Sequence, residues 1–182
     1  RYPKETRQNE VQYPNNLEQF RCSFYTPGMR ITTKGRYALR AMTNLAASYQ
    51  GKPRPIKKIA ADEEISPEFL EQIFFKLKKQ GIIGSVRGPG GGFVLEQSPS
   101  DISIKDIFLA VDEGLDLTPC TVCGDSSGGA HCVREEQCLV YSVWKDASEH
   151  IIDYFSNISL QDVLDQNKEK VQRFLAGGDI SA

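Results

Sequence analysis

Residues 66–95, SPEFLEQIFFKLKKQGIIGSVRGPGGGFVL, decide the fold. Ser66 is an N-cap residue type, and Pro67 suits the first helical position. Leu70, Ile73, Phe74 and Leu77 recur at three- and four-residue spacing, which predicts a helix with one apolar face. Glu68, Glu71, Gln72, Lys76 and Lys79 fall largely on the other side. Gly81 ends the helix as a left-handed C′ residue. Residues 82–86 and 93–95 read as two short strands joined by Arg87-Gly88-Pro89-Gly90-Gly91-Gly92. A helix with a polar outer face followed by such a hairpin predicts a winged helix-turn-helix. In that arrangement the helix enters a major groove, and the wing carries Arg87 to the backbone or the minor groove. The glycine run also reads as a plain flexible turn of an α+β fragment, and spacing alone does not separate the two. It is neither a Walker loop, since no Gly-Lys-Ser/Thr follows, nor a dinucleotide fingerprint, since no helix follows.

The flanking sequence completes the pattern. Thr32 and Thr33 can cap a helix that runs to about Tyr49, with Ala38, Ala41, Met42, Leu45, Ala46 and Tyr49 inward. After the prolines at 53 and 55, a short second helix starts at Ile56, with Ile56, Ile59 and Ala60 inward. Helix, helix, helix, hairpin is the order of a winged-helix core. Beyond it, Ser103 and Asp106 resemble a capping box before Ile104, Ile107, Phe108 and Val111. From Cys138 a helical pattern of about five turns follows, with Val140, Val143, Trp144, Ala147, Ile151, Tyr154 and Phe155 apolar. Such a face exceeds what a small core can cover. Trp144, Ile151 and Phe155 are therefore expected at a two-fold interface with a second copy. Ser159 and Asp162 box a last short helix over residues 160–165. The fold class is mainly α with a small β-hairpin. The divisions are an upstream extension without regular structure at 1–28, before a natural start at Met29; a DNA-binding unit at 29–98; a cysteine loop with dimerisation helices at 99–166; and a polar tail at 167–182.

Charge is divided unevenly. Residues 29–96 carry 12 Lys/Arg against 6 Asp/Glu, whereas residues 97–182 carry 6 against 15, within a net charge of −2. The basic half coincides with the helix and wing, so it is the half expected to meet phosphate. No long apolar run or secretory leader is legible, which makes the cytoplasm the expected location. No Ser–His–Asp, Walker or paired-carboxylate pattern points to an enzyme.

Of five cysteines, Cys22 stands alone as an incidental thiol, while Cys120, Cys123, Cys132 and Cys138 fall within nineteen residues. In a cytosolic chain, the location expected here, such a cluster is a metal or redox site before it is a disulfide framework. A redox Cys-x-x-Cys wants a thioredoxin-like βαβ context that is missing. Four thiolates suit an iron–sulfur cluster or structural zinc, and the spacing leaves both open.

Several segments together resemble the IscR iron–sulfur cluster regulators of bacteria: MRITTKGRYALR at 29–40, FLEQIF at 69–74, SVRGPGGGF at 85–93, AVDE at 110–113 and NISL at 157–160. The similarity runs over about residues 29–165. It implies a homodimeric winged-helix transcriptional regulator that holds a cluster, 2Fe–2S in preference to 4Fe–4S, and binds a roughly palindromic double-stranded operator. A zinc-stabilised DNA-binding dimer without a switch is the alternative. The resemblance implies that Glu71 adjusts operator choice, that Arg87 enters the minor groove, and that Ser66 and Gln72 lie on the base-reading helix. Lys34, Arg36, Gly88 and Gly90 complete the expected DNA contacts. It further implies Cys120, Cys132 and Cys138 as ligands. Two departures bear on the fourth. The interval from Cys120 to Cys132 is longer than in the family and includes Cys123, and the family's histidine position holds Tyr141. Cys123 is the first candidate, His131 the second and Tyr141 the third; His150 is expected at the surface or the dimer contact.

Overall fold

A computed structural model describes residues 31–49, 53–118 and 135–176 of the chain. The expected extension at 1–28, Met29 and Cys22 lie outside the described residues. Helix α1, Thr33–Ala47, begins where Thr32 caps it by accepting from the Gly35 amide, and it buries Ala38, Ala41, Met42, Leu45 and Ala46. Tyr49 departs from the expected stripe. The helix has ended by then, and the ring is 46% exposed. Helix α2, Ile56–Asp62, packs Ile59 and Ala60 inward. Helix α3, Pro67–Lys79, is capped by Ser66 and buries Leu70, Ile73, Phe74 and Leu77, the four residues its periodicity named. Gly81 takes φ 71°, the left-handed conformation that stops the helix.

Strands β1, Ile83–Val86, and β2, Gly92–Leu95, pair antiparallel, with Ile83 opposite Leu95 and Val86 opposite Gly92. Arg54 adds a bridge on the outer side of the hairpin, its N–H donating to Phe93 O and its carbonyl accepting from Phe93 N, both at 2.9 Å. Phe93 in turn stacks edge-on against Phe74, ring centres 4.8 Å apart. The wing is thus fastened to α3 by aromatic packing and to the α1–α2 connection by backbone hydrogen bonds.

Helix α4, Ile104–Ala110, has both halves of its capping box. Helices α5, Tyr141–Ser156, and α6, Leu160–Gln166, follow, the latter with a second complete box at Ser159 and Asp162. The core is continuous across these elements: Ile102, Ile107, Phe108, Val111 and Leu160 are buried in the same cluster as Met42, Leu70 and Phe74. Ile104 N donates to Ile158 O, and Leu160 N to Ile102 O, so the turns before α4 and α6 are stitched together.

Two findings alter the sequence expectations. Helix α5 starts at Tyr141 rather than Cys138, and Phe155 lies against Phe108 of its own chain, ring centres 5.2 Å apart. Phe155 therefore packs, partly buried, against the core of its own chain. Helix α7, Lys168–Leu175, stands where a polar tail was expected. Its Phe174 ring lies 4.7 Å from the Arg54 guanidinium carbon, a cation–π contact that composition could not reveal. Among the described residues, no helix is long and apolar enough to cross a membrane.

Because Leu160 is fully buried in the shared cluster, Leu160→Ala should lower stability by about 2–5 kcal/mol. Urea unfolding followed by circular dichroism and by Trp144 fluorescence should stay a single coincident transition. Two separated transitions would show that α5 and α6 fold apart from α1–α3.

Candidate nucleic-acid interface

The outward face of α3 is built by the same periodicity that buries its inner face. Glu68, Glu71, Gln72, Phe75 and Lys79 are all exposed there, three or four residues apart. Ser66, at the helix start, is exposed, and its hydroxyl accepts the Phe69 amide at 3.3 Å. Its first role is to cap the helix. Two of the lysines near the C-terminal end are tied down: Lys78 donates to Ser85 Oγ on β1 at 2.6 Å, and Lys76 pairs with Asp112 at 2.5 Å.

The wing beside this face presents Arg87, Gly88, Pro89 and Gly90 to solvent. Gly88 and Gly90 adopt φ 110° and 78°, backbone conformations that an L side chain rarely takes. The tip is closed by the Gly91 amide donating to Gly88 O at 2.9 Å. A side chain at Gly92 would strike the Arg54 carbonyl across the bridge. The glycine run is therefore a shaped tip, not an unstructured connection. It sets Arg87 just past the end of β1, exposed at the tip.

The start of α1 is the third part. Arg36 is exposed, with its guanidinium donating to Thr33 Oγ1 at 3.2 Å. Lys34 is half-buried and donates to the Asp112 carbonyl at 3.1 Å, so part of its hydrogen-bonding capacity is spent inside the chain. Arg40 faces α2, where its Nε pairs with Glu63 at 3.0 Å.

Asp112 and Glu113, which periodicity did not single out, hold these parts together. Glu113 is 4% exposed. Its carboxylate accepts from Thr32 N at 2.7 Å and Thr32 Oγ1 at 2.5 Å. An anion at a helix N-terminus is favoured both by the unpaired amides and by the helix dipole. A Cβ on Gly35 would collide with the Glu113 side chain, which explains a glycine in the first turn of α1. Asp112 takes φ 53° and turns the chain so that its carbonyl meets Lys34 and its carboxylate meets Lys76. The Lys76 hydrogen bond holds the Asp112 carboxyl below its ordinary value of 3.8. Any stability from this solvent-exposed pair is thus complete above that value and lost as pH falls below it. The Thr32–Glu113 pair is separated by 81 positions, so no local sequence pattern could have found it.

The cysteines sit just beyond. Cys120, Cys123, Cys132 and His131 lie outside the described residues. Cys138 is a free, half-buried thiol ahead of the first turn of α5, and its carbonyl accepts from Tyr141 N at 3.2 Å. On the other side of the undescribed stretch, Leu117 N donates to the buried Ser148 Oγ of α5 at 3.1 Å. Asp116, next to Leu117, has its carboxyl raised above the ordinary range by burial.

The surface of α5 that turns away from the core carries Val140 at its cap, then Val143, Trp144 and Tyr154. Val143 is 60% exposed and Trp144 42%.

Comparisons with known proteins bear on the family and the fold. Residues 31–166 match the Rrf2 family model, described as an iron-dependent transcriptional regulator. The chain is 42% identical over 140 residues to the HTH-type transcriptional regulator IscR of Vibrio cholerae serotype O1, covering 77% of this chain and 78% of that one. It is 40% identical over 141 residues to the regulator of the same name from Pectobacterium carotovorum, covering 78% and 82%. Among solved structures it resembles T. potens IscR, with TM-score 0.61, 32% identity and coverage of 78% of this chain and 90% of that one. It also resembles CymR (YrzC), the global cysteine regulator of B. subtilis, with TM-score 0.60, 25% identity and coverage of 76% and 98%.

Glu113→Ala leaves the two Thr32 donors without their acceptor and should cost roughly 1–3 kcal/mol in thermal or urea unfolding. Asp112→Ala, which removes only an exposed ion pair, should cost less than about 1 kcal/mol. Equal losses would show that Glu113 is not the anchor of α1.

Proposed function

The chain belongs to the Rrf2 family of transcriptional regulators, DNA-binding proteins and not enzymes, and from that premise we propose that α3 and the wing form the surface that reads its operator. The observation that carries this reading is the glycine-tipped hairpin that is tied to the end of α3 through Lys78 and Ser85 and leaves Arg87 exposed. Glu71 and Gln72 lie on that face, where a glutamate accepts from cytosine N4 and a glutamine pairs with adenine. Arg87 and Arg36 supply positive charge at the margins, and the Gly88 and Gly90 backbone allows close approach to the sugar–phosphate chain. The protein then acts where the DNA is, in the cytoplasm.

We further propose that Cys120, Cys123, Cys132 and Cys138 hold an iron–sulfur cluster, 2Fe–2S in preference to 4Fe–4S. The donor set fits: four thiolates within one short stretch suit iron–sulfur ligation, and the described member, Cys138, is free and close to a helix N-terminus. The family's iron dependence favours this over zinc. A bound cluster would supply redox and iron sensitivity. The chain's own residues supply the route outward. The undescribed stretch lies between Leu117, held by Ser148, and Cys138. Asp112 and Glu113 upstream of it touch the end of α3 and the start of α1. A change in that stretch would bias both elements of the DNA surface, which is the regulatory step we propose.

The apolar outward side of α5 supports a homodimer. With Phe155 turned inward, the interface falls to Val140, Val143, Trp144, Ile151 and Tyr154. Two copies imply a roughly palindromic operator.

Arg87→Ala should weaken binding to a selected operator by roughly 1–3 kcal/mol in an anisotropy titration, and unchanged affinity would remove its assigned contact. Glu71→Ala should broaden the set of bound sequences more than it lowers affinity; uniform loss on all sequences would contradict its role in choice. Anaerobically purified protein should contain iron and sulfide, whereas zinc without sulfide would establish the alternative. Separate reconstitution of Cys123→Ser, His131→Ala and Tyr141→Phe assigns the fourth ligand. An unaltered spectrum for Cys123→Ser with loss for His131→Ala would replace Cys123 by His131. Trp144→Glu should shift sedimentation from dimer to monomer, and a wild-type monomer at micromolar concentration would exclude the interface.

A further inference from the structure

Phe75 is the large apolar residue on the outward face of α3, and it is 71% exposed. Scattered exposed apolar residues need no explanation, so its position carries the argument. The inner face of α3 is complete with Leu70, Ile73, Phe74 and Leu77, and Phe75 contributes nothing to it. It stands four residues after Glu71, three after Gln72 and four before Lys79, so it shares a single stripe with all three. The stripe is acidic toward the start of the helix and basic toward its end, where Lys76, Lys78 and Lys79 cluster. A phenyl ring offers nothing to a phosphate, which lysine or arginine would serve. It can neither donate to nor accept from a base edge. The apolar group that the major groove does present is the C5 methyl of thymine.

We infer that Phe75 is a specificity-determining residue that covers a thymine methyl, about one helical turn along α3 from the base or bases met by Glu71 and Gln72. This rests on the proposal that α3 reads the major groove. The contact discriminates thymine from cytosine at one position in each half-site through burial of a methyl group rather than through a hydrogen bond.

The test uses the full chain. Operators are first selected from random duplexes with the wild-type protein, and each thymine is then replaced in turn by deoxyuridine, which keeps the hydrogen-bonding edge and removes only the methyl. Wild type should lose about fourfold in affinity per substituted half-site at one thymine, the effect of exposing one methyl-sized group. Phe75→Ala should bind the unmodified operator about fourfold more weakly per half-site and lose nothing further at that deoxyuridine. Phe75→Leu should retain part of the discrimination. The side chain is exposed, so the variants' melting temperatures should match wild type. If wild type and Phe75→Ala respond alike to deoxyuridine at every thymine, or if Phe75→Ala binds as well as wild type and instead loses a protein partner such as RNA polymerase, the inference is overturned. If wild type selects a sequence but a uniform loss with Glu71→Ala and Gln72→Ala shows that α3 does not read bases, the underlying placement of α3 fails, and the inference with it.

Discussion

The buried carboxylate of Glu113 is the constraint on which the rest of the arrangement depends. An ionisable group 4% exposed is costly to bury unless it is matched, and here the match is the N-terminus of α1: one backbone N–H, one hydroxyl and the helix dipole. The match works only if the first turn of α1 leaves room, which Gly35 does. It also brings Asp112 into register with Lys34 and Lys76. A single tertiary contact thereby fixes how the segment before the cysteines meets the first helix and the end of the third. Sequence patterns describe each of those segments well, but none describes their meeting.

The wing depends on a different economy. Its two strands are four residues each, too short to stand alone as a hairpin in water. They persist because the inner ends are buried through Ile83 and Leu95, because Phe93 stacks on Phe74, and because Arg54 adds a backbone bridge. Arg54 is itself held by Asp62 at 2.5 Å, by the Ser48 hydroxyl and beneath Phe174. One residue thus links α1, α2 and α7 through its side chain and the wing through its backbone. The tip, freed from any packing duty, keeps the backbone shape that its glycines permit and exposes Arg87.

Helix α5 shows how one helix serves two demands. Ser148, Ile152 and Phe155 turn to the core, where Ser148 holds Leu117 and Phe155 meets Phe108. Val143, Trp144 and Tyr154 turn outward. The inward side is covered within the chain, and the outward side is the one proposed above to meet a second copy. The stretch with the cysteines lies between α4 and α5.

The sequence by itself determined the local elements. The caps at Ser66, Ser103 and Ser159, the inner face of α3, the glycine stop and the winged order all follow from short-range rules of periodicity and hydrogen bonding, and each is present in the fold. The glycines of the wing and the exposed stripe of α3, and with them most of the proposed DNA surface, were legible for the same reason. The tertiary structure alone decided what distant residues do to one another. It turned Phe155 inward, because α4 presents Phe108 at that height, and left Tyr49 outside, because α1 ends before it. It placed α7, from a segment whose composition is polar, with Phe174 over the Arg54 guanidinium. It joined Thr32 to Glu113 across 81 positions. Such pairings depend on where whole helices come to rest, and no periodicity within a single helix encodes that.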